Sequence, residues 1–488
     1  MDIIEIESFD QTYNKITCDP GIGFELNEYF TFEVPGAKFM PAVRNKVWDG
    51  KIRLFNVMSC LLYAGLNKYI EEFAKSRNYT VIYKSDFSAD EFSLKEANEF
   101  IDTLKIPEKF ERRDYQIDAF TYAIRNRRAL MLSPTASGKS FIIYLITRYY
   151  AKRTLIIVPT TSLVSQLASD FSDYGLLSDK WVHRIYAGQD KQTDKPITIS
   201  TWQSIYKLDK KYFEQCDVVI GDEAHLFKAK SLTSIMSKLN SCRYRFGFTG
   251  TLDDTQTHKL VLEGLFGPVR KVISTAELID QKHLTKFEIK AIILKYPDEL
   301  RKLTSKFDYQ TELDYLVRNE ARNRFIMNLT LSLKGNTLLM FQFVEKHGKE
   351  LYELINKNAK KRKVFFVFGG TDVEVRESVR AITEKESDAI IVASYGTFST
   401  GINIRNLHNI LFASPSKSRI RNLQSIGRGL RVGDNKTAAT LFDISDDFRV
   451  GKFTNFTLKH FIERLKIYDD EKFVYKIYPI ELKTNDIQ

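Results

Sequence analysis

The sequence predicts an α/β fold with two tandem parallel-sheet lobes and a small N-terminal α+β domain. Short apolar runs alternate with helical patterns twice, between residues 129 and 251 and again between residues 336 and 444. This alternation is typical of parallel sheets with helices on both faces. The first hundred residues lack it, and their aromatic residues are scattered among charges. A chain of 488 residues also favours two or three domains.

The N-terminal segment, residues 1–100, is expected to form a separate domain that binds nucleic acid. Its clearest pattern is a turn at Trp48-Asp49-Gly50 followed by the alternating run Lys51 to Phe55. A turn of this kind before an alternating run predicts a β-strand. The aromatic residues of the domain could stack on bases or form its core, and the core is the more common role.

The first lobe is predicted to span residues 101–275. Its strand candidates are short, apolar and rich in β-forming residues, which suits strands buried on both faces. They are Ala129–Ser133, Thr154–Pro159, Ile197–Thr201, Val218–Asp222 and Tyr244–Thr249. Between the first two, apolar residues at helical spacing predict a core-facing helix over Lys139–Tyr150.

The second lobe is predicted to span residues 276–488. Its strand candidates share the pattern of the first set and are Thr337–Phe343, Lys363–Phe368, Ala389–Ser394, Asn409–Ala413 and Ala439–Asp443. A weakly patterned stretch from about residue 267 to residue 336 is expected to join the lobes.

Composition indicates which partners, which cysteine chemistry and which cell compartment to expect. The net charge of +11 favours a polyanionic partner, either nucleic acid or an anionic membrane surface. The four cysteines are far apart and none has a histidine at metal-ligand spacing, so neither a disulfide framework nor structural zinc is expected. The acidic start of the chain does not resemble a secretory signal, and no apolar run is long enough to cross a bilayer. These features predict a cytoplasmic protein.

A phosphate-binding loop is predicted between the first strand and helix of the first lobe. It comprises Ser133, Pro134, Thr135, Ala136, Ser137, Gly138, Lys139 and Ser140. Small residues let backbone N–H groups face phosphate oxygens, and the helix N-terminus adds partial positive charge. Lys139 would hold the β and γ phosphates of ATP, and Ser140 would bind Mg²⁺. Ser133 replaces the usual first glycine, so the segment alone is also consistent with an ordinary strand-to-helix turn.

Adjacent carboxylates end an apolar strand at Asp222-Glu223-Ala224-His225. Two buried charges in this position need a metal ion or strong partners. We expect Asp222 to hold Mg²⁺ and Glu223 to orient and deprotonate the attacking water. An acidic turn is the alternative for this segment alone.

Arg428 and Arg431 lie three residues apart within the segment Gln424 to Arg431 of the second lobe. At that spacing they share a helix face, and guanidinium groups match phosphate oxygens. Arginine fingers of this kind speed phosphoryl transfer by about 10³ to 10⁵. A solvated basic helix is the alternative.

Taken together, these segments and Thr249-Gly250-Thr251 resemble superfamily 2 helicases of the DExH type over about residues 110–445. The resemblance implies two RecA-like lobes that use ATP and Mg²⁺. It also implies catalytic roles for His225 and Gln424 and nucleotide contacts from Gly401 and from Gln116, which would read the adenine edge.

The same resemblance implies contacts to the nucleic-acid backbone. From the first lobe they would come from Pro159, Thr160, Thr161, Thr201, Trp202 and Gln203. From the second lobe they would come from Gly369, Gly370, Thr371, Ser394 and Thr397. Small hydroxyl residues and amides suit contacts that do not read sequence. Each of these residues, seen alone, would also fit a turn or a helix cap.

Three segments are similar to the UvsW family of phage recombination helicases, a likeness that extends over nearly the whole chain. They are Trp48 to Leu54, Gly221 to His225 and Ser394 to Gly401. This implies unwinding of branched DNA, Holliday junctions, stalled forks and R-loops, in the host cytoplasm, by a monomer. A single-stranded-DNA-binding protein is a further candidate partner. An ATP-gated annealing protein, a duplex translocase and an RNA helicase remain open alternatives.

Overall fold

The computed structural model of the protein describes residues 2–34, 36–186, 188–228, 230–252, 256–400, 404, 406–415, 426–427, 436 and 438–482. The chain divides into two compact units. The first unit contains Met1–Ser133 and Ser137–Ile273. The second contains Pro134–Ala136 and Ser274–Gln488.

The N-terminal domain is an α+β fold, as predicted. Its strands are β1 Ile3–Ser8, β2 Tyr13–Thr17, β3 Thr31–Glu33, β4 Lys51–Arg53, β5 Phe55–Asn56, β6 Leu61–Tyr63 and β7 Thr80–Tyr83. Its helices are α1 Pro20–Tyr29, α2 Pro41–Arg44 and α3 Asn67–Arg77, with 3₁₀ turns at Ala37–Phe39 and Ala64–Leu66. One sheet has the order β5-β6-β2-β1-β7, and β3 pairs with β4 in a separate antiparallel ribbon.

The N-terminal domain packs directly on the first lobe within the same compact unit. Its buried aromatic residues, such as Phe30 and Phe73, belong to a hydrophobic cluster that also contains Leu130 and Leu155 of the lobe's sheet. The approach is close at Gly65, where an added Cβ would lie 1.9 Å from the carbonyl oxygen of Glu263. Only a residue without a side chain permits this contact.

The first lobe is a seven-stranded parallel sheet with the order β10-β11-β9-β12-β13-β8-β14. Its strands are β8 Arg128–Leu132, β9 Thr154–Val158, β10 Val182–Ile185, β11 Ile197–Thr201, β12 Val218–Asp222, β13 Tyr244–Thr249 and β14 Val269–Lys271. The helices of this region are α4 Leu94–Thr103, α5 Asp114–Asn126, α6 Lys139–Tyr150, α7 Thr161–Asp173, α8 Ser178–Trp181, α9 Trp202–Ile205, α10 Lys210–Glu214, α11 Lys230–Lys238 and α12 Gln256–Phe266, with a 3₁₀ helix at Ala224–Lys228. The five predicted strands and the helix over Lys139–Tyr150 are confirmed.

Two strands of this sheet, β10 and β14, were not predicted. They lie at its two edges and are only four and three residues long. Each contains basic residues, for example Arg184 and Arg270, so neither gives the apolar run of a strand buried on both faces.

The second lobe is also a seven-stranded parallel sheet, with the order β17-β18-β16-β19-β20-β15-β21. Its strands are β15 Lys286–Lys295, β16 Thr337–Phe341, β17 Val364–Val367, β18 Ile390–Ser394, β19 Asn409–Phe412, β20 Ala438–Asp447 and β21 Tyr475–Glu481. Its described helices are α13 Thr275–Asp280, α14 Asp298–Thr304, α15 Tyr309–Arg318, α16 Glu320–Ser332, α17 Lys349–Asn358, α18 Val373–Lys385, α19 Tyr395–Thr400 and α20 Phe456–Asp470, with a π-helical turn at Val344–Gly348. All five predicted strands are confirmed.

Residues 267–336, whose sequence is weakly patterned, contain regular secondary structure. Strand β15 runs through this stretch and pairs over ten residues with β20, and helices α14 to α16 follow it. The strand mixes charged residues such as Lys290 with buried ones such as Ile289, because it lies next to the edge strand β21. Because of this mixture, strand β15 lacks the uniformly apolar run from which the predicted strands were inferred.

All four cysteines, Cys18, Cys60, Cys216 and Cys242, are free thiols in the structure. Burial raises the pKa of the Cys216 and Cys242 thiols to about 12. Among the described residues, no helix has the length and apolar character needed to traverse a bilayer.

Candidate nucleotide site and nucleic-acid groove

The predicted phosphate loop lies between β8 and α6, at the carboxyl edge of the first sheet. Its backbone turns through left-handed conformations at Ala136 (φ 66°) and Gly138 (φ 81°), which immediately precede the helix. A Cβ at Gly138 would lie 2.2 Å from Nε2 of Gln116. The conformation favours glycine at this position, and any side chain there would displace Gln116.

Gln116, in the first turn of α5, holds this loop in place. Its Nε2 donates a hydrogen bond of 2.9 Å to the carbonyl oxygen of Ser137, and its Oε1 accepts one of 3.3 Å from the backbone N–H of Arg113. The side chain is buried. The structure thus assigns Gln116 a loop-positioning contact that the sequence did not predict, and its contact with adenine stays a prediction.

The serine that replaces the first glycine of the loop is accommodated by a local hydrogen bond. Ser133 Oγ lies 2.6 Å from Ser137 Oγ, and both residues are fully buried. The backbone N–H of Ser133 also donates to the carbonyl oxygen of Thr249 at 2.8 Å. The serine side chain therefore links the two ends of the loop, and the backbone of residue 133 ties the loop to the neighbouring strand β13.

Lys139 faces the two carboxylates at the end of β12. Its Nζ lies 3.3 Å from Oε1 of Glu223 and 3.9 Å from Oδ1 of Asp222. The pKa of Asp222 is raised to about 6, because burial and the charge of Glu223 together outweigh the opposing charge of Lys139. The site thus places one cation beside two carboxylates in a region with little solvent. A bound phosphate would pair with the lysine, and a divalent cation would pair with the carboxylates.

Glu223 adopts a left-handed backbone conformation (φ 52°), and its N–H donates a 2.9 Å hydrogen bond to Oδ1 of Asp222. This conformation is uncommon for a non-glycine residue. It places the carboxylate of Glu223 between Lys139 and His225, whose Nδ1 lies 3.4 Å from Oε2.

His225 connects this acidic site to the segment after β13. Its Nδ1 lies 3.1 Å from Oγ1 of Thr249, which in turn donates to the carbonyl oxygen of Thr251 at 2.7 Å. The three side chains are buried. A shift of Glu223 would therefore alter the contacts of Thr249 and Thr251, because polar contacts through His225 connect the three residues.

Ser140, the predicted Mg²⁺ ligand, has a partner that the sequence did not reveal. Its Oγ lies 2.9 Å from the hydroxyl of Tyr174, which lies 34 residues later, just after α7. Burial raises the pKa of Tyr174 to about 12, so its hydroxyl stays protonated. The hydroxyl of Ser140 and the carboxylate of Asp222 are hard oxygen donors, which fit Mg²⁺.

A groove lies at the carboxyl ends of β9, β10 and β11 in the same lobe. Its volume is about 610 Å³. Five of the predicted nucleic-acid contacts line it, namely Pro159, Thr160, Thr161, Thr201 and Gln203. Nε2 of Gln203 lies 3.5 Å from the carbonyl oxygen of Pro159, so the two predicted segments meet across the groove.

The groove also has walls that the sequence did not predict. Tyr186, Gln189 and Lys191, which follow β10, contribute to its lining. The short, unpredicted strand β10 brings them to this edge. Trp202, in contrast, is not part of the described lining, because its ring packs near Tyr206 against the hydrophobic core. Its contact with nucleic acid stays a prediction that the groove itself does not support.

Comparison with known proteins adds three matching families. A profile described as "DNA helicase UvsW, N-terminal" matches residues 3–84, "Type III restriction enzyme, res subunit" matches residues 109–254, and "Helicase conserved C-terminal domain" matches residues 321–433. The ATP-dependent DNA helicase uvsW of Enterobacteria phage T4 is 36% identical, in a match that covers 98% of this chain and 100% of the phage protein. The chain belongs to the UvsW family of helicases.

Two further comparisons agree with membership of the UvsW family. The crystal structure of T4 UvsW is 35% identical, covers 99% of this chain and 100% of its own, and superposes with a TM-score of 0.52. The DNA 3'-5' translocase XPB2 of Sulfurisphaera tokodaii is 32% identical over 41% of this chain and 45% of its own. The predictions of a superfamily 2 helicase, of two RecA-like lobes and of an ATP-dependent helicase are thereby confirmed.

In the second lobe, the predicted contact segments of this UvsW-family protein follow two paired strands, β17 and β18. Gly369 and Gly370 are exposed, and Oγ1 of Thr371 accepts a 3.0 Å hydrogen bond from the backbone N–H of Phe368. Ser394 Oγ and Thr397 Oγ1 lie 2.8 Å apart and are buried. The structure therefore brings both segments to one sheet edge, with the two glycines and Thr371 the more accessible of the two groups.

Four predicted site residues, Gly401, Gln424, Arg428 and Arg431, lie outside the described residues. The loop residues Pro134, Thr135 and Ala136 lie where predicted, between β8 and α6. Sequence reasoning missed Tyr174 and the groove residues after β10. A tyrosine gives no motif, and its position beside Ser140 depends on how α7 packs.

Proposed function

We propose that this chain is an ATP- and Mg²⁺-dependent helicase that unwinds or branch-migrates forked DNA, Holliday junctions and R-loops in recombination, repair and replication restart. One observation carries the proposal: the phosphate loop and the groove open on the same edge of one sheet. The nucleotide site lies at the ends of β8 and β12, and the groove begins at β9, which pairs with β12. A change at one site would thus be transmitted to the other through adjacent strands.

In this proposal, Lys139 neutralises the β and γ phosphates of ATP, while Ser140 and Asp222 hold Mg²⁺. The bound cation would supply charge neutralisation for the leaving phosphate. Glu223 orients the attacking water and accepts its proton, and it loses its contact with Lys139 when that lysine turns to phosphate. His225 contacts both Glu223 and Thr249, so a movement of Glu223 would also move the contact with Thr249.

The second lobe would complete hydrolysis. We propose that Arg428 and Arg431 neutralise the γ-phosphate, that Gln424 is a further catalytic residue, and that Gly401 contacts the nucleotide. Loss of the γ-phosphate would then end the interaction that closes the two lobes. Repeated closing and opening, with both lobes holding the DNA backbone, would advance the protein along a strand.

Backbone contacts are proposed for the groove residues of the first lobe and for Gly369, Gly370, Thr371, Ser394 and Thr397 in the second. We assign residues 1–100 to nucleic-acid binding, residues 101–275 to ATP binding and residues 276–488 to the arginine fingers. A monomer in the host cytoplasm, with a single-stranded-DNA-binding protein as a partner, fits an enzyme of a phage-type family.

The experiment compares ATP hydrolysis and strand displacement on single-stranded DNA, duplex, fork and RNA. Lys139→Ala should abolish DNA-stimulated hydrolysis, whereas Lys152→Ala, an exposed lysine just past the other end of α6, should not. Arg431→Ala should stop hydrolysis and largely retain ATP binding. Hydrolysis without displacement on any substrate would favour a translocase or an annealing protein. A preference for RNA would favour an RNA helicase instead of a DNA helicase.

A further inference from the structure

A long loop projects from the two-stranded ribbon of the N-terminal domain. The ribbon pairs Thr31–Glu33 with Lys51–Arg53 and belongs to neither the five-stranded sheet of the domain nor the sheets of the lobes. The chain between the two strands, residues 34–50, is called here the ribbon loop; all of it except residue 35 is described. Among those described residues, only Ala37 and Gly50 are buried.

The ribbon loop is ordered by hydrogen bonds within itself. The backbone N–H of Val34 donates to the carbonyl oxygen of Gly50 at 2.9 Å, which closes its base. The N–H groups of Val47 and Trp48 both donate to the carbonyl oxygen of Ala42, at 2.9 and 3.1 Å. Nε1 of Trp48 donates to the carbonyl oxygen of Lys51 at 2.9 Å. The loop is therefore a folded projection that can hold side chains in fixed positions.

Its surface carries large apolar side chains in water. Phe39 is 73% exposed, Val47 is 82% exposed and Met40 is 41% exposed. By contrast, Phe30, Phe55 and Phe73 of the same domain are fully buried. Single exposed apolar residues are ordinary, but three in one projecting loop mark a contact surface.

The charges on the ribbon loop select the kind of partner. Lys38, Arg44 and Lys46 are exposed, and no described carboxylate lies within ion-pair distance of any of them. Asp49 is engaged by Arg53, with an Nη2 to Oδ2 distance of 2.5 Å. Nζ of Lys38 lies 5.1 Å from the ring centroid of Phe39. A ring beside one lysine, in a loop with two further exposed cations that no described carboxylate neutralises, fits a base next to its phosphates.

The base of the ribbon is fixed to the lobe that carries the groove. Phe32 of β3 and Ile52 of β4 pack against the hydrophobic cluster shared by the N-terminal domain and the first lobe. Trp202, which directly follows the groove residue Thr201, packs against the same cluster. The ribbon loop and the groove therefore belong to one continuous packed body, in which a strand held by the groove has a fixed geometric relation to the loop.

We propose that the ribbon loop meets the branch point of DNA, with Phe39 stacking on the exposed base at the junction. Lys38, Arg44 and Lys46 neutralise the phosphates on either side. Met40 and Val47 cover the faces of the opened base pair, as apolar wedges do in other DNA-deforming proteins. This inference deepens the proposed function and rests on it, because only a branched substrate offers such a base.

The first test compares Phe39→Ala with Phe24→Ala. Phe24 is a matched control, since it is 67% exposed in the same domain but lies on α1. Phe39→Ala should slow displacement of a forked strand about tenfold, the typical size of one base-stacking contact, whereas Phe24→Ala should displace it at the wild-type rate. Fork displacement at the wild-type rate, or an equal loss in Phe24→Ala, overturns the proposal.

The second test measures binding without hydrolysis. In a Lys139→Ala background, 2-aminopurine at the first base pair of a fork should change its fluorescence when the protein binds, and Phe39→Ala should remove that change. This readout decides the role of the loop even if the wild-type protein fails to unwind forks, a failure that would count against the proposed function instead. An equal signal from both proteins overturns the inference.

The third test concerns the charges. The triple variant Lys38→Gln, Arg44→Gln, Lys46→Gln should reduce the salt dependence of fork binding by about two to three counterions. The matched control changes Lys357, Lys360 and Lys361, which are exposed in the second lobe, to glutamine and should leave this dependence largely intact. Unchanged fork binding by the first triple variant would overturn the proposal. The exposed loop would then be a surface for a protein partner instead of DNA.

Discussion

Gly138 illustrates how a single missing side chain shapes the nucleotide site. Its left-handed conformation disfavours a side chain, and an added Cβ would lie 2.2 Å from Nε2 of Gln116, which would have to move. We expect Gly138→Ala to displace Gln116 and the loop and to weaken ATP binding at least tenfold, measured by nucleotide titration.

Gly451→Ala is the control for backbone strain alone. Gly451 also has a positive φ, of 53°, but nothing lies within 4 Å of an added Cβ. This variant should lose only about 1 kcal/mol of stability and bind ATP normally. Equal ATP affinity in the two variants would show that the contact with Gln116 is unimportant.

His347 makes the second lobe sensitive to acid. It is fully buried, with Nδ1 3.0 Å from Oγ of Ser414 and Nε2 3.2 Å from Oδ1 of Asn323. Burial, together with the charge of Arg322, lowers the pKa of His347 well below its usual value. The unfolded chain therefore takes up a proton near pH 6.5 while the folded protein does not.

The stabilising effect of neutral His347 is complete above about pH 6.5 and is lost as the pH falls below it. The loss should approach about 1.4 kcal/mol per pH unit until the folded imidazole also titrates. Denaturant unfolding at about pH 7.5, 6 and 5 would measure it. In His347→Gln the free energy of unfolding should change less steeply with pH, by the contribution of one proton. Identical slopes of this free energy against pH in both proteins would contradict the assignment.

Residue chemistry was predictable where it follows from a local motif. Lys139, Asp222 and Glu223 were identified from the order of short segments, because the chemistry of phosphate binding fixes both their type and their spacing. Tyr174 was not, since its contact with Ser140 arises from the packing of α7 and carries no local pattern. The core contact of Trp202 was missed for the same reason, because an aromatic residue after a strand suits a core and a binding surface equally.

At the scale of elements, Glu312 of α15 acts as a cap for α20. Its fully buried carboxylate accepts hydrogen bonds from the backbone N–H groups of Phe456 and Thr457, at 2.9 and 2.8 Å, and from Nδ2 of Asn455 at 3.0 Å. A negative charge at a helix N-terminus also interacts favourably with the helix dipole. One side chain thus satisfies the start of a helix more than a hundred residues away.

Glu312→Gln should destabilise the second lobe by about 2 to 3 kcal/mol, because an amide NH₂ would face a backbone donor. Thermal unfolding would measure the loss, and hydrogen exchange should increase in the first turn of α20. Glu353→Gln, on an exposed position of α17, is the control and should change neither. Unaltered exchange at Phe456 and Thr457 in Glu312→Gln would rule out the capping role.

Elements were predictable in proportion to their burial. Strands such as β9 and β18, buried along their whole length, were found from apolar runs alone. Strand β15 was missed because charged residues interrupt its apolar side. The short strands β10 and β14 were missed because pairing with a neighbouring strand, and not their own composition, stabilises them.

At the scale of the whole molecule, Arg245 joins the N-terminal domain to the first lobe. It lies on β13, is fully buried, and its guanidinium donates to the carbonyl oxygens of Gln11, Met236 and Leu239 at 3.0, 2.7 and 3.3 Å. It also donates to Oγ1 of Thr12 at 2.9 Å. Burial lowers the pKa of Arg245. The domain is therefore held by a buried cation that backbone oxygens solvate.

This arrangement gives the last prediction. Arg245→Met keeps the apolar volume but removes every hydrogen bond from the guanidinium to those oxygens, so we expect a loss of about 2 to 4 kcal/mol in the free energy of unfolding. Hydrogen exchange should rise in β1 and β2, which flank residues 11 and 12, before it rises in the sheet of the first lobe. Arg243→Met removes the same charge from an exposed position two residues earlier and should alter neither measurement. If β1 and β2 stayed as protected in Arg245→Met as in Arg243→Met, the buried guanidinium would not be what holds the N-terminal domain on the lobe.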